Sequence, residues 1–138
     1  MMLLSNKRIF IVEDNLSNRA IAQMLLEASG ARTAIDRWGT NAVNRMREFA
    51  PIDLVILDLM FPDGISGYDI YDEIRSHSEF DQVPIIAVSA ADPTTAIPLT
   101  QEKGFAGFIS KPLDFNQFPQ QICRIIGGEK IWDTLAQI

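Results

Sequence analysis

LVILDLMFPDG, running from Leu54 to Gly64, is the stretch that decides the fold. Its first four residues are apolar without a break, too short for a buried helix and rich in β-formers. Such a run reads as a strand covered on both faces, ending where Asp58 begins. Three more runs end in the same way. RIFIV (Arg8 to Val12) is followed by Glu13 and Asp14, PIIAV (Pro84 to Val88) by Ser89, and GFI (Gly107 to Ile109) by Ser110 and Lys111.

Between these runs lie longer segments of helical period, the alternation of a parallel sheet covered by helices. Leu16 to Ser29 predicts a helix with Ile21, Leu25 and Ala28 on one stripe and Gly30 as its stop. Arg32 to Ile35 is the weakest strand, as suits an edge, and Thr40 to Phe49 predicts a helix closed by Pro51. Asp53 to Leu57 is the central strand, Tyr68 to Ser76 a third helix, and Asn116 to Ile126 a last one. Pro98 interrupts the segment before Gly107, so the helix there is expected to be short, kinked, or to begin near Pro98. Five strands and five helices account for nearly the whole chain. The fold class is α/β, doubly wound around a parallel sheet.

At 138 residues the chain is one domain of ordinary size, and its 47% hydrophobic and 22% charged residues suit a globular protein. No apolar stretch approaches the ~20 residues that span a bilayer. MMLLSNKRIF has no apolar core followed by a small-residue cleavage site, so no secretory signal is read and a cytoplasmic location is expected. One cysteine, Cys123, excludes an internal disulfide and reads as a buried helical residue; the single histidine, His77, reads as surface. Net charge is −6 with scattered Lys and Arg, which leaves no basic face for nucleic acid.

In an open parallel sheet, ligands bind beyond the carboxyl ends of the strands. Glu13, Asp14, Asp58, Ser89 and Lys111 all stand there. Three carboxylates, a hydroxyl and an ammonium brought together make a site for Mg²⁺ or Mn²⁺ beside a nucleophilic aspartate. Each residue alone has a plainer reading. Glu13-Asp14 can be a helix N-cap, Lys111 a turn lysine and Ser89 a loop hydroxyl. Their joint placement after successive strands favours the site.

These blocks resemble a response-regulator receiver domain of two-component phosphorelays, over about residues 6 to 127. The matching features are IVEDN, LVILDLMFPDG with Asp58 and Pro62, VSAAD with Ser89 and Ala90, and FISKP with Lys111-Pro112. The resemblance implies a chemotaxis-regulator-like, flavodoxin-like three-layer α/β/α fold, with five parallel strands in the order 2-1-3-4-5. It implies that Asp58 accepts a phosphoryl group from a sensor histidine kinase or a histidine phosphotransfer protein. Mg²⁺ would be held by Asp14, Asp58 and the Met60 carbonyl, with Glu13 acting through water. Ser89 and Lys111 would contact the phosphoryl group, Phe108 would swing inward behind Ser89, and the Lys111-Pro112 bond would be cis. The output surface would be helix 4, strand 5 and helix 5. It would meet a downstream protein or a second copy in a phosphorylation-dependent homodimer.

Three features depart from the family pattern: a longer FPDGISG loop, Phe108 without a tyrosine hydroxyl, and Pro98 inside a normally continuous helix. Met60 and Ala91 are apolar where fast self-dephosphorylating members carry polar groups, so a slowly hydrolysing phosphoryl group is expected. Residues 1–128 read as the receiver and 129–138 as a short amphipathic tail, with Ile131, Trp132, Leu135 and Ile138 at helical spacing. That tail is expected to pack back on the domain, to meet a partner, or to begin a linker to an output domain. The rivals are a non-phosphorylated interaction module and a Mg²⁺-dependent aspartyl-phosphate phosphatase. The phosphatase needs a second acid where Met60 stands. A flavodoxin-like cofactor carrier fits less well, since Glu13 and Asp14 would repel its phosphate. A signalling domain rather than an enzyme is the expectation.

Overall fold

The computed structural model describes residues 2–61 and 64–133. The four apolar runs are strands β1 (Arg8–Val12), β3 (Leu54–Leu57), β4 (Ile85–Ser89) and β5 (Gly107–Ser110). With β2 (Arg32–Asp36) and β6 (Ile131–Asp133) they form one parallel sheet in the order β2-β1-β3-β4-β5-β6. Helices α1 (Leu16–Ala28), α2 (Ala42–Phe49), α3 (Gly67–Arg75), α4 (Pro93–Lys103) and α5 (Gln117–Ile126) cover it.

Alternate strand residues feed two cores. Phe10, Val55, Ala87 and Phe108 point toward α2, α3 and α4, whereas Ile9, Ile56, Val88 and Ile109 point toward α1 and α5. The interior strands are therefore apolar along their middles, with polar residues only at their ends (Arg8, Ser89 and Ser110), which is why they were readable from the sequence as unbroken runs.

Six strands replace the expected five. Ile131 and Trp132 do not continue a helix; they pair with Gly107 and Phe108 as β6. A three-residue strand is too short to show its period, and the open edge of β5 decides the outcome. Both side chains pack back on the domain, while Leu135 and Ile138 lie outside the described residues.

Helix α4 also differs. It runs unbroken from Pro93 through Pro98 to Lys103, opened by the Asp92 carboxylate, which accepts the Thr94 N–H at 3.0 Å. Pro98 and Thr94 both lie on the exposed side, so the Thr94 carbonyl that loses its helical donor faces solvent. In α1 the fully buried stripe is Ala22 and Leu26, one residue on from the expected one; Ile21 and Leu25 flank it and Ala28 is exposed. Gly30 does stop that helix, at φ +98. Cys123 and His77 are both half-buried, and His77 Nδ1 lies 3.1 Å from Arg47.

Candidate functional site

The site is assembled at the carboxyl ends of β1, β3, β4 and β5. Glu13 and Asp58 are the first residues past β1 and β3, and both are buried. Parallel register sets their level: Val12 pairs with Leu57, and Leu57 with Ala87, so Ser89 closes β4 one step beyond Asp58. The acids do not cap α1. Asn15 does that, its side chain accepting the Asn18 N–H at 2.9 Å, while Glu13 accepts the Asn15 N–H at 3.2 Å.

Glu13, Asp14 and Asp58 each offer a carboxylate oxygen, all within 4.8 Å of one another. The Lys111 ammonium donates to Asp58 Oδ2 at 3.1 Å and to Glu13 Oε1. Burial pushes the Glu13 carboxyl above its usual range; the Lys111 hydrogen bond opposes this and the Asp58 charge adds to it. Three acids against one ammonium leave negative charge in excess, and hard oxygen donors at this spacing suit a small divalent cation that would relieve it. By its donor set, the site fits Mg²⁺.

Other residues shape the pocket. Gly67 opens α3 directly against Asp58, where a Cβ would stand 2.2 Å from the Asp58 carbonyl oxygen. The Asp58 Oδ1 accepts the Met60 N–H at 3.2 Å, and the Met60 side chain points outward. Ser89 is fully buried, its Oγ accepting the Ala91 N–H at 3.2 Å, so the hydroxyl hydrogen remains to be donated. The Lys111-Pro112 bond is cis.

Of the expected residues, Glu13, Asp14, Asp58 and Lys111 come together directly, with Ser89 beside them. Phe108 sits deeper, within β5, and is already at 0% exposure, inside the α2–α4 core with Trp132 level with it. Pro62 and Asp63 of the loop lie outside the described residues.

Sequence reasoning missed Gly67 and a cavity of about 80 Å³ beside the acids. Its apolar wall includes Ile21, Leu113 and Phe115. These come from α1 and the β5–α5 loop, which no local pattern links. Exposed Leu16, Met60 and Phe115 add apolar surface near these elements.

A doubly wound parallel sheet with helices on both faces, and an acid cluster with a lysine at its carboxyl edge, puts the chain in the class of flavodoxin-like α/β proteins. The chain matches the response regulator receiver domain model over residues 9–123 and belongs to that family. It is 32% identical over 121 residues to the polar-differentiation response regulator DivK of Brucella ovis, covering 88% of this chain and 97% of DivK. The receiver domain of sensor histidine kinase PA1611 from Pseudomonas aeruginosa superposes with a TM-score of 0.77 at 27% identity, covering 90% of this chain and all of that one. That structure carries a magnesium ion coordinated in its active-site cleft. The chemotaxis protein CheY4 of Vibrio cholerae shares the fold, with a TM-score of 0.79 at 19% identity over 88% of this chain and 99% of its own. Among the described residues no helix is long and apolar enough to cross a membrane.

Proposed function

We propose that Asp58 is the phosphoacceptor of a cytoplasmic response regulator, charged by a phosphohistidine of a sensor kinase or phosphotransfer protein. The observation that carries this is the Lys111 ammonium 3.1 Å from Asp58 Oδ2, beside two further carboxylates. A carboxylate oxygen of Asp58 attacks phosphorus, and the O–P bond forms as the P–N bond to imidazole breaks. The imidazole leaves with the bonding electrons and takes up a proton.

Lys111 holds one transferred oxygen as a point charge, and Ser89 donates its hydroxyl hydrogen to another. Asp14, Asp58, Glu13 and the Met60 carbonyl are the candidate holders of Mg²⁺, which when bound supplies charge neutralisation at the phosphoryl oxygens. The exposed Leu16, Met60 and Phe115 give a phosphodonor protein apolar surface to dock on.

We take residues 1–128 as the receiver unit and 129–138 as an appended segment. The switched surface is formed by α4, β5 and α5, with β6 paired along β5 and Ser89 and Phe108 behind it. It would meet a downstream protein or a second copy. Exposed, apolar Met60 and half-buried Ala91 offer no group to orient water, so the acyl phosphate is expected to persist well beyond seconds in the purified protein.

The test is intact mass after incubation with Mg²⁺ and acetyl phosphate. Wild type gains one phosphoryl group of ~80 Da, labile at high pH, and Asp58→Asn gains none. No adduct, with no binding of beryllofluoride and Mg²⁺, would instead support an unphosphorylated interaction module.

A further inference from the structure

Lys111 stands at the end of β5, and β5 is an interior strand only because β6 pairs with it. Three independent features tie β6 to that place. Trp132 lies level with Phe108 and packs on the α2–α4 core, while Ile131 packs on the other face with α1 and α5. The Asp133 carbonyl accepts the Ser110 hydroxyl at 3.3 Å, one residue before Lys111, and its carboxylate accepts the Gln121 amide at 2.9 Å. Gly107 is bare where β6 crosses it: a Cβ there would stand 2.6 Å from the Ile131 carbonyl oxygen. A glycine inside a strand marks such a close backbone approach.

The connection that leads into β6 holds little by itself. Gly127 to Lys130 are exposed, and the Arg124–Glu129 ion pair there is solvated.

We propose that Ile131–Asp133 is a strap that positions Lys111 against Asp58, with Trp132 as its anchoring residue. The inference rests on the phosphoacceptor reading of Asp58. Strapped, β5 has both edges paired, and its end presents the ammonium in one place. Unstrapped, β5 is a four-residue edge strand whose end opens locally. A cation placed in advance stabilises a phosphoryl group more than one that must first be ordered. The linkage is reciprocal: a group at Asp58 that engages Lys111 strengthens the strap by the same factor.

The test uses the full chain with Mg²⁺ and beryllofluoride, comparing wild type with Gly107→Ala, Trp132→Ala and Trp132→Phe. Affinity is read by fluorine NMR, and the β5 and β6 amides by hydrogen exchange. Gly107→Ala pushes the strap away without altering its side chains, and Trp132→Ala removes its anchor. Both are expected to bind beryllofluoride about fivefold or more weakly, and Trp132→Phe to bind like wild type. In wild type, beryllofluoride should slow exchange at the β6 amides that donate to β5.

Wild-type affinity in both strap variants, or β6 exchange indifferent to beryllofluoride, overturns the strap. If wild type itself binds no beryllofluoride, the phosphoacceptor reading fails instead. The strap is then judged without ligand. Gly107→Ala or Trp132→Ala must speed exchange at Ile109 to Lys111 while the Asp58 amide keeps its protection, and equal protection throughout overturns the strap.

Discussion

The acid half of the site and the lysine half are supported in different ways. Glu13 and Asp58 follow β1 and β3; β3 is central, and β1 is flanked on its outer side by the five-residue β2, paired with it along its whole length. Lys111 follows β5, whose outer neighbour is the three-residue β6. A glycine permits each arrangement: Gly67 lets α3 begin against Asp58, and Gly107 lets β6 lie against β5. The acids are thus held by the body of the fold and the cation by its margin. A small change of packing at the margin would therefore reach the ammonium before it reaches the acids.

The sharpest way to break the acid half is Gly67→Ala. Its Cβ would meet main-chain atoms of Asp58 and Leu59, at 2.2 and 2.6 Å, and backbone cannot step aside as a side-chain tip can. A loss of about 3 kcal/mol is expected by chemical denaturation, together with loss of phosphoryl uptake. Unchanged uptake from acetyl phosphate would show that the loop adjusts around Asp58.

Lys111→Met tests the other half. It keeps the stem and removes the charge, and uptake should slow by about 10²-fold, or 2.7 kcal/mol, as when one charge-stabilising donor is deleted elsewhere. Thermal stability in chelator should fall as well, because Glu13 and Asp58 lose their shared ammonium, and added Mg²⁺ should restore part of it. A wild-type uptake rate would remove Lys111 from the mechanism.

Pro98→Ala sharpens the comparison at the helix beside the lysine half. It returns a hydrogen bond to the exposed Thr94 carbonyl but gives freedom back to the unfolded chain. The balance is a gain of about 1 kcal/mol, measured as a higher denaturation midpoint. A lower midpoint would mean that proline's stiffness matters more there than the missing bond.

Smallest is Glu79→Gln, far from either half. Arg47 holds the Glu79 carboxyl below its usual range by hydrogen bond and charge. Such a group adds stability above its unfolded pKa, and this is lost as pH falls through the lower folded value. The variant should lose that slope at acid pH and match wild type in phosphoryl uptake at neutral pH. Both groups are exposed, so the effect is slight.

Much of this was legible because strands buried on both faces must be apolar throughout. The first polar residue after each run therefore lies at a carboxyl end: Glu13 and Asp58 follow β1 and β3 directly, whereas Ser89 and Ser110 close β4 and β5 from within the strand, with Lys111 next. Legibility failed where elements are short or sides are mixed. The α1 stripe was displaced by one because Ile21 and Leu25 are apolar but only flank the buried Ala22 and Leu26. Pro98 suggested a broken helix because its cost is local, while the cap at Asp92 and the packing of Ala96 and Thr100 that outweigh it are not. Trp132 read as part of a helical face because nothing in EKIWD names the strand it joins.

The amino-acid sequence by itself determined the alternating architecture and the set of groups at the strand ends, since both are written in local period and residue type. Only the tertiary structure decided that Lys111 reaches Glu13 across 98 residues of chain. It alone decided that Gly67 closes on Asp58, that Phe108 is buried beside Trp132, and that a sixth strand holds the edge. The reason is physical. Periodicity reports which side of an element is wet, whereas which elements become neighbours is set by the packing of the whole sheet.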